Sequence, residues 1–167
     1  MIDVVVDDLA FVAADAVVRP TTTALEPLTP TLRRLEDVGG PSFYNQLRLR
    51  GELAVGAAVV TSAGELTADF VVHAVIMSPD EPISAQGVRR ALISVLQRAG
   101  DWQLKRLAIP PLGVGPGNLE LEDSAQLMVR TLLESTAGAG FPRHVSIVVD
   151  NEEARSVFVR HLERTVV

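Results

Sequence analysis

The sequence predicts an α/β fold, a mixed β-sheet covered by helices on both faces, and three observations carry that reading. The second half alternates helix, strand, helix, strand and helix, an order that calls for parallel strand pairing. The most strongly β-branched stretches, Val55–Thr61 and Ala68–Met77, are joined by a short segment containing Ala63-Gly64 and read as an antiparallel hairpin. Hydrophobic residues make up 47% of the chain but aromatics only 4%, so Val, Leu, Ile and Ala must fill the core. Such a composition suits a β-branched sheet under aliphatic helices.

Ile2–Val6 is a short β-branched run closed by Asp7-Asp8, and Ala16–Val18 is another, closed by Arg19-Pro20; both read as strands. Thr21–Pro30, rich in Thr and Pro, reads as an irregular loop. Leu32 and Leu35 are spaced for a short helix over Thr31–Asp37, stopped by Gly39-Gly40. Ser42 is placed to cap a second helix carrying Phe43, Leu47 and Leu49. After the hairpin, Ser84 can cap a helix in which Val88, Ala91, Leu92, Val95, Leu96 and Ala99 form one apolar face, and Gly100 ends it. Leu104–Ile109 is a strand cut off by Pro110-Pro111. Glu120–Ser135 is a helix with Leu121, Ala125, Met128, Val129, Leu132 and Leu133 inward, broken by Gly138–Pro142. His144–Val149 is a buried strand, and Asn151 caps a last helix through His161 with Ala154, Val157, Phe158 and Leu162 on its core face. With no repeat, linker or low-complexity tract, residues 1–167 read as one domain.

A chain of 167 residues is long enough for a real core. The formal net charge of −6 disfavours a nucleic-acid partner, because an acidic surface repels a phosphate backbone. The absence of cysteine removes disulfides, thiolate metal sites and a Cys nucleophile. No apolar run approaches ~20 residues, so no membrane partner is expected. The acidic start MIDVVVDDLAF does not read as a signal peptide, and a cytoplasmic location is the expectation.

The segment Leu112–Leu119 carries the most chemistry. It holds three glycines in five positions and runs from the end of a strand into a helix. Open α/β sheets bind ligands at that edge. Glycines let backbone N–H groups approach an anion, and the following helix adds unpaired N–H groups and a partial positive charge. It is neither a Walker loop nor GxGxxG, and from residues alone a phosphate seat and a plain tight turn remain evenly weighted.

With the elements in this order, the chain resembles the macro domain, the ADP-ribose-binding fold. Val6-Asp7-Asp8-Leu9 followed by Asp15-Ala16-Val17-Val18 is similar to the family's Gly-Asp-Ile and Asp-Ala-Ile-Val pair, with the same seven-residue spacing. Gly56–Thr61 with Ala68–Val75 is similar to its hairpin and Val-Ile-His-x-Val strand, and Leu107–Gly115 to its Phe-Pro-x-x-x-Thr-Gly loop. The resemblance implies a three-layer α/β/α sandwich with about six strands. It also implies that Asp8 accepts a hydrogen bond from an adenine amino group, that Leu9 supplies the neighbouring N–H, and that Gly113, Val114, Gly115, Pro116, Gly117 and Asn118 wrap a diphosphate. In the loop after Val18 the family has Asn-Ala-Ala-Asn and a run of glycines. This chain has Arg19-Pro20-Thr21-Thr22, then Thr23-Ala24-Leu25-Glu26-Pro27. Thr22 falls where the second Asn would be, and Arg19 is a candidate replacement that could grip phosphate.

Other candidates have plainer readings. Asp7 and Asp8, adjacent at a strand end, suit a turn better than a converging acid pair, and a one-residue shift exchanges which of them faces the pocket. His73 reads as a satisfied core histidine, and it shares no metal-ligand spacing with His144 or His161. Thr21-Thr22-Thr23 reads as a solvated loop, and Arg33-Arg34 and Arg89-Arg90 as solvated helix faces. The expected function is therefore a binding module for ADP-ribose or a related nucleotide diphosphate, with no cofactor and with homo-oligomer formation left open. Two alternatives follow: a ligand-free module for assembly or protein contacts, and, ranked last, an ADP-ribosyl or phosphate-ester hydrolase using a non-standard residue such as Thr22.

Overall fold

Six strands and four helices alternate along residues 1–48 and 51–166, which a computed structural model describes: β1 (Ile2–Val6), β2 (Ala16–Thr22), α1 (Pro30–Arg48), β3 (Ala58–Ser62), β4 (Phe70–Met77), α2 (Ala85–Asp101), β5 (Arg106–Ile109), α3 (Leu121–Thr136), β6 (His144–Val149) and α4 (Glu152–Val166). The strands form one mixed sheet in the order β1-β6-β5-β2-β4-β3. β1, β6, β5, β2 and β4 run parallel, and β3 pairs antiparallel with β4 at one edge. Five parallel strands therefore end along the same edge of the sheet.

Strand alternation divides the core in two. Val18, Val72, Ile109 and Ile147 face a cluster built with α2, α3 and α4. Val17, Val71, Val75, Ala108 and Val148 face Leu32, Leu35 and Phe43 of α1. The three layers are thus α1, the sheet, and the remaining helices. The expected caps are in place: Ser84 Oγ accepts from Gly87 N–H at 3.0 Å, and Asn151 Oδ1 accepts from Ala154 N–H at 2.8 Å. No helix of the described residues is long and apolar enough to cross a membrane.

The loop expected over Thr21–Pro30 starts two residues later. β2 continues through Arg19-Pro20 to Thr22, and Thr21 and Thr23 are buried rather than solvated. Pro20 is tolerated because the pairing of β2 with β5 ends at Val17, so it interrupts no central ladder on that side. α1 is bent where two helices were expected: Gly40 takes φ 80° and ψ −176°, and Pro41 starts the second segment. Phe43 is buried there as expected; Leu49 and the side chains of Ser42 and Leu47 lie outside the described residues.

The hairpin locks onto this bend. Glu65 N–H donates to the Gly39 carbonyl at 2.9 Å, and Gly64 sits at φ 59° against the same carbonyl. A Cβ on Gly64 would overlap the Gly39 oxygen and crowd Phe43 Cβ. Gly64→Ala is therefore expected to cost upward of ~2 kcal/mol in denaturant unfolding. Gly117→Ala, at a similar φ of 78° but in open space, should cost no more than ~1–2 kcal/mol.

Candidate functional site

A cleft of about 1150 Å³ lies over the C-terminal edge of the five parallel strands. It is lined from the ends of β1 (Val6–Leu9), β6 (Val148–Asn151), β5 (Pro110, Pro111), β2 (Pro20, Thr22) and β4 (Met77), with the start of α1 and the Gly113–Asn118 loop as its walls. Residues that are far apart in sequence meet here because parallel strands deliver their ends to one side of a sheet.

The glycine-rich loop is anchored from beneath. Ser124 Oγ of α3 donates to the Leu112 carbonyl at 2.7 Å, and Leu112 N–H meets Met128 Sδ at 3.3 Å. Asn118 N–H closes on Gly115 C=O and Leu119 N–H on Gly113 C=O, both at 3.0 Å. Gly113 needs its glycine: at φ 78°, a Cβ would meet Val88, Ile83 and Leu119 at 3.0–3.1 Å. Gly113, Val114, Gly115, Pro116 and Asn118 line the cleft; Gly117 is exposed and does not.

At the other end β1 stops at Val6, so Asp7 and Asp8 leave strand alternation and both line the cleft. Asp7 Oδ1 accepts from Asp8 N–H at 2.7 Å, and Asp8 Oδ1 accepts from Ala10 N–H at 3.0 Å, a turn role. Asp8 Oδ2 accepts from Arg34 of α1, whose guanidinium also lies 5.5 Å from the ring centroid of exposed Phe11. That hydrogen bond, above all, holds the Asp8 carboxyl below its ordinary 3.8. Leu9 is buried beside it. Arg34, read from the sequence as a solvated helix face, is therefore a site residue. The usable signal was its place one turn after Thr31, on the helix that follows the altered loop.

Arg19 is corrected outright. As an odd residue of β2 it shares the face of Val17, and its side chain is 0% exposed and points toward α1, away from the cleft. It donates to the Leu25 carbonyl at 3.0 Å, to His73 Nδ1 at 3.1 Å and to Glu36 Oε1. It cannot grip a phosphate, but it holds the Thr22–Pro27 turn from below. His73 is buried and hydrogen-bonded, stacking 5.8 Å from Phe43. Because a guanidinium only donates, His73 Nδ1 accepts, and its Nε2–H donates to Thr61 Oγ1 at 2.8 Å, which can pass its own proton to Ser62 C=O. Burial pushes Arg19 down to about 10 and pushes the Glu36 carboxyl up, each opposed by the partner's charge. Arg19 therefore remains charged near neutrality.

Thr22 lines the cleft as expected, but its polar atoms serve the turn. Its N–H donates to Glu26 C=O at 3.3 Å, its carbonyl accepts from Leu25 N–H at 2.9 Å, and its Oγ1 accepts from Glu26 N–H at 3.2 Å. The titratable side chains of the cleft are Asp7, Asp8, Arg34 and Asp150, all at the β1–β6 end. Among the described residues no cluster of three His, Cys, Asp or Glu is placed to hold a metal ion.

The family profile described as Macro domain matches residues 33–128, which takes in the glycine-rich loop and begins after Asp8. An uncharacterised protein of Aeropyrum pernix is 30% identical over 148 residues, covering 88% of this chain and 77% of its own. A protein named O-acetyl-ADP-ribose deacetylase, from an Enterobacter species, is 28% identical over 167 residues, covering 96% of this chain and 93% of its own. An uncharacterised protein of Mycobacterium tuberculosis is 27% identical over 132 residues, and the match spans only 37% of that relative's length. Among solved structures, the Oceanobacillus iheyensis macrodomain with ADP superposes with a TM-score of 0.87 at 16% identity, covering 98% of this chain and 90% of that one. The Trypanosoma brucei macrodomain in complex with ADP-ribose gives 0.85 at 16% identity, covering 99% and 69%. At these identities the structural likeness is one of fold.

The buried pair makes a separable prediction. Arg19→Met leaves Glu36, the Leu25 carbonyl and His73 Nδ1 without their donor and should cost ~3–5 kcal/mol in urea unfolding. Arg19→Met with Glu36→Leu should recover most of that loss, since a matched apolar replacement of a buried ion pair is often near neutral. A double variant no more stable than Arg19→Met would refute the coupling.

Proposed function

This chain belongs to the macro domain family, and we propose that it is a binding module for ADP-ribose or a related nucleotide diphosphate, without standard hydrolytic turnover. The observation that carries this reading is convergence: Asp8 and Leu9 from the end of β1 and the Gly113–Asn118 loop from the end of β5 line one cleft. In this reading the Asp8 carboxylate accepts from the exocyclic amino group of the base, with Leu9 N–H beside it. The diphosphate lies along the loop, whose glycines permit close approach of the backbone. Asp8 and Arg34 are 40% and 50% exposed. Such pairs are worth only about 0–1 kcal/mol, so a base can displace the guanidinium at small cost.

Hydrolysis is the second reading, and the relative named as a deacetylase favours it. Against it stands the chemistry of the cleft. The carboxylates that line it, Asp7, Asp8 and Asp150, sit at the β1–β6 end, and the Thr22 hydroxyl accepts a backbone bond from Glu26 N–H. Incubation with O-acetyl-ADP-ribose and with ADP-ribosylated protein separates the two; turnover of either would reject a purely binding role.

Calorimetric titration tests the binding reading. Saturable binding of ADP or ADP-ribose is expected, with a stabilisation of ~2.7 kcal/mol at a hundred-fold excess over Kd. No heat and no melting shift at millimolar nucleotide would leave the assembly-module alternative. Asp8→Asn should weaken nucleotide binding about ten-fold, the worth of a hydrogen bond to a charged acceptor. Since Arg34 holds the Asp8 carboxyl below its ordinary 3.8, the acceptor is ionised from about pH 5 to 8, and affinity for ADP-ribose, whose doubly esterified diphosphate does not titrate in that range, should be flat there. It should fall only at more acid pH, as Asp8 protonates.

A further inference from the structure

We propose that the part of the cleft beyond the glycine-rich loop is an apolar subsite that takes an alkyl chain esterified to a nucleoside diphosphate, in preference to a free ribose; this rests on the nucleotide reading above. The first support is a full account of the backbone donors in the wall from Pro20 to Pro27. Both prolines lack an N–H. Thr21 stays in the β2–β4 register and is bridged by Pro27 folding back on it. Thr22 N–H is spent on Glu26 C=O, Thr23 N–H on Met77 C=O at 2.9 Å, Leu25 N–H on Thr22 C=O, and Glu26 N–H on Thr22 Oγ1. Ala24 is the remaining donor, and it is exposed and does not line the cleft. The wall therefore has no backbone N–H to offer sugar hydroxyls.

Side chains repeat the pattern. Pro20, Pro27, Leu28, Met77 and Ile83 line this end. Ile83 abuts the phosphate loop directly, its Cγ2 3.1 Å from where a Gly113 Cβ would stand. The hydroxyls nearby each give one acceptor site to the backbone: Thr22 Oγ1 accepts from Glu26 N–H, and Thr29 Oγ1 from Leu32 N–H at 3.3 Å. Every titratable lining group lies at the opposite, β1–β6 end. A ribose seated here would replace few of the hydrogen bonds its hydroxyls make with water, whereas a chain of methylenes gains about four-fold in affinity for each one buried.

The test is calorimetry on the full chain with three probes: ADP, ADP-ribose and the butyl ester of ADP at its β-phosphate. The ester is expected to bind at least about ten-fold tighter than ADP. ADP-ribose is expected within about three-fold of ADP, since its ribose finds few new partners and no backbone N–H in the Pro20–Pro27 wall. In Leu28→Ser and Met77→Ser, each checked for folding by its melting curve, the ratio of ester to ADP affinity should fall toward one. An ester no tighter than ADP, or ADP-ribose equal to the ester, overturns the subsite while leaving the nucleotide reading intact. No heat with any of the three probes rejects the nucleotide reading itself.

Discussion

The architecture of the cleft depends on a cation buried in the opposite half of the molecule. Arg19 sits on the central strand β2, fully buried, with neighbours on four segments: His73 on β4, Glu36 on α1, the Leu25 carbonyl in the turn, and through His73 the Thr61 hydroxyl on β3. Burial opposes the charge on both Arg19 and Glu36. A desolvated ion pair is a poor source of net stability, so its retention points to geometry. What it fixes is the path of the chain after β2. With the Leu25 carbonyl tied to Arg19, Leu25 holds a φ of 61°, and the turn closes on itself.

That closure divides the labour of the two loops that frame the cleft. The Gly113–Asn118 loop is supported from beneath by Ser124 and Met128 and closed at its end by Asn118 and Leu119 N–H. The Thr22–Pro27 turn uses its polar groups internally and faces the cleft through Pro and aliphatic carbon. The same sheet edge thus carries a glycine-rich loop next to a wall of Pro and aliphatic side chains. Neither feature belongs to the fold as such; each follows from how a few residues satisfy their hydrogen bonds.

Much of the fold was legible because its signals are local. The periodic apolar face of α2, the β-branched run of β4, the Asn151 and Ser84 caps and the hairpin each need only neighbouring residues to be read. The end of β2 is hidden in the sequence because Arg19-Pro20 reads as a strand terminator although Thr21 and Thr22 are strand formers; pairing with β4 along the whole length of β2 carries the strand past it. Arg19 was misplaced for a related reason. A charge at a strand end reads as exposed unless its partner is known, and Glu36 stands 17 residues away on a helix. Asp8 and the glycine loop were legible as candidates through resemblance and strand-edge position. Their union with Arg34 was not, because it depends on α1 crossing the end of β1.

The altered loop also changes what the missing amides mean. Had Asn and Gly simply been lost, the cleft would be a weakened copy of a sugar-binding site, open to water and short of donors. Instead the substitutions are mutually consistent. Pro20 and Pro27 remove donors at both ends of the turn, Thr22 accepts from Leu25 and Glu26 N–H, Met77 C=O accepts from Thr23 N–H, and Arg19 fills the space beneath with a charge that binds protein carbonyl and carboxylate. Most of the turn's backbone donors are met within the protein, although Thr21 Oγ1 and Arg19 Nε beneath it are buried without a partner. It follows that the cleft should be judged by the chemistry it presents, a neutral amide loop beside aliphatic carbon, and not by the sugar-binding residues it lacks.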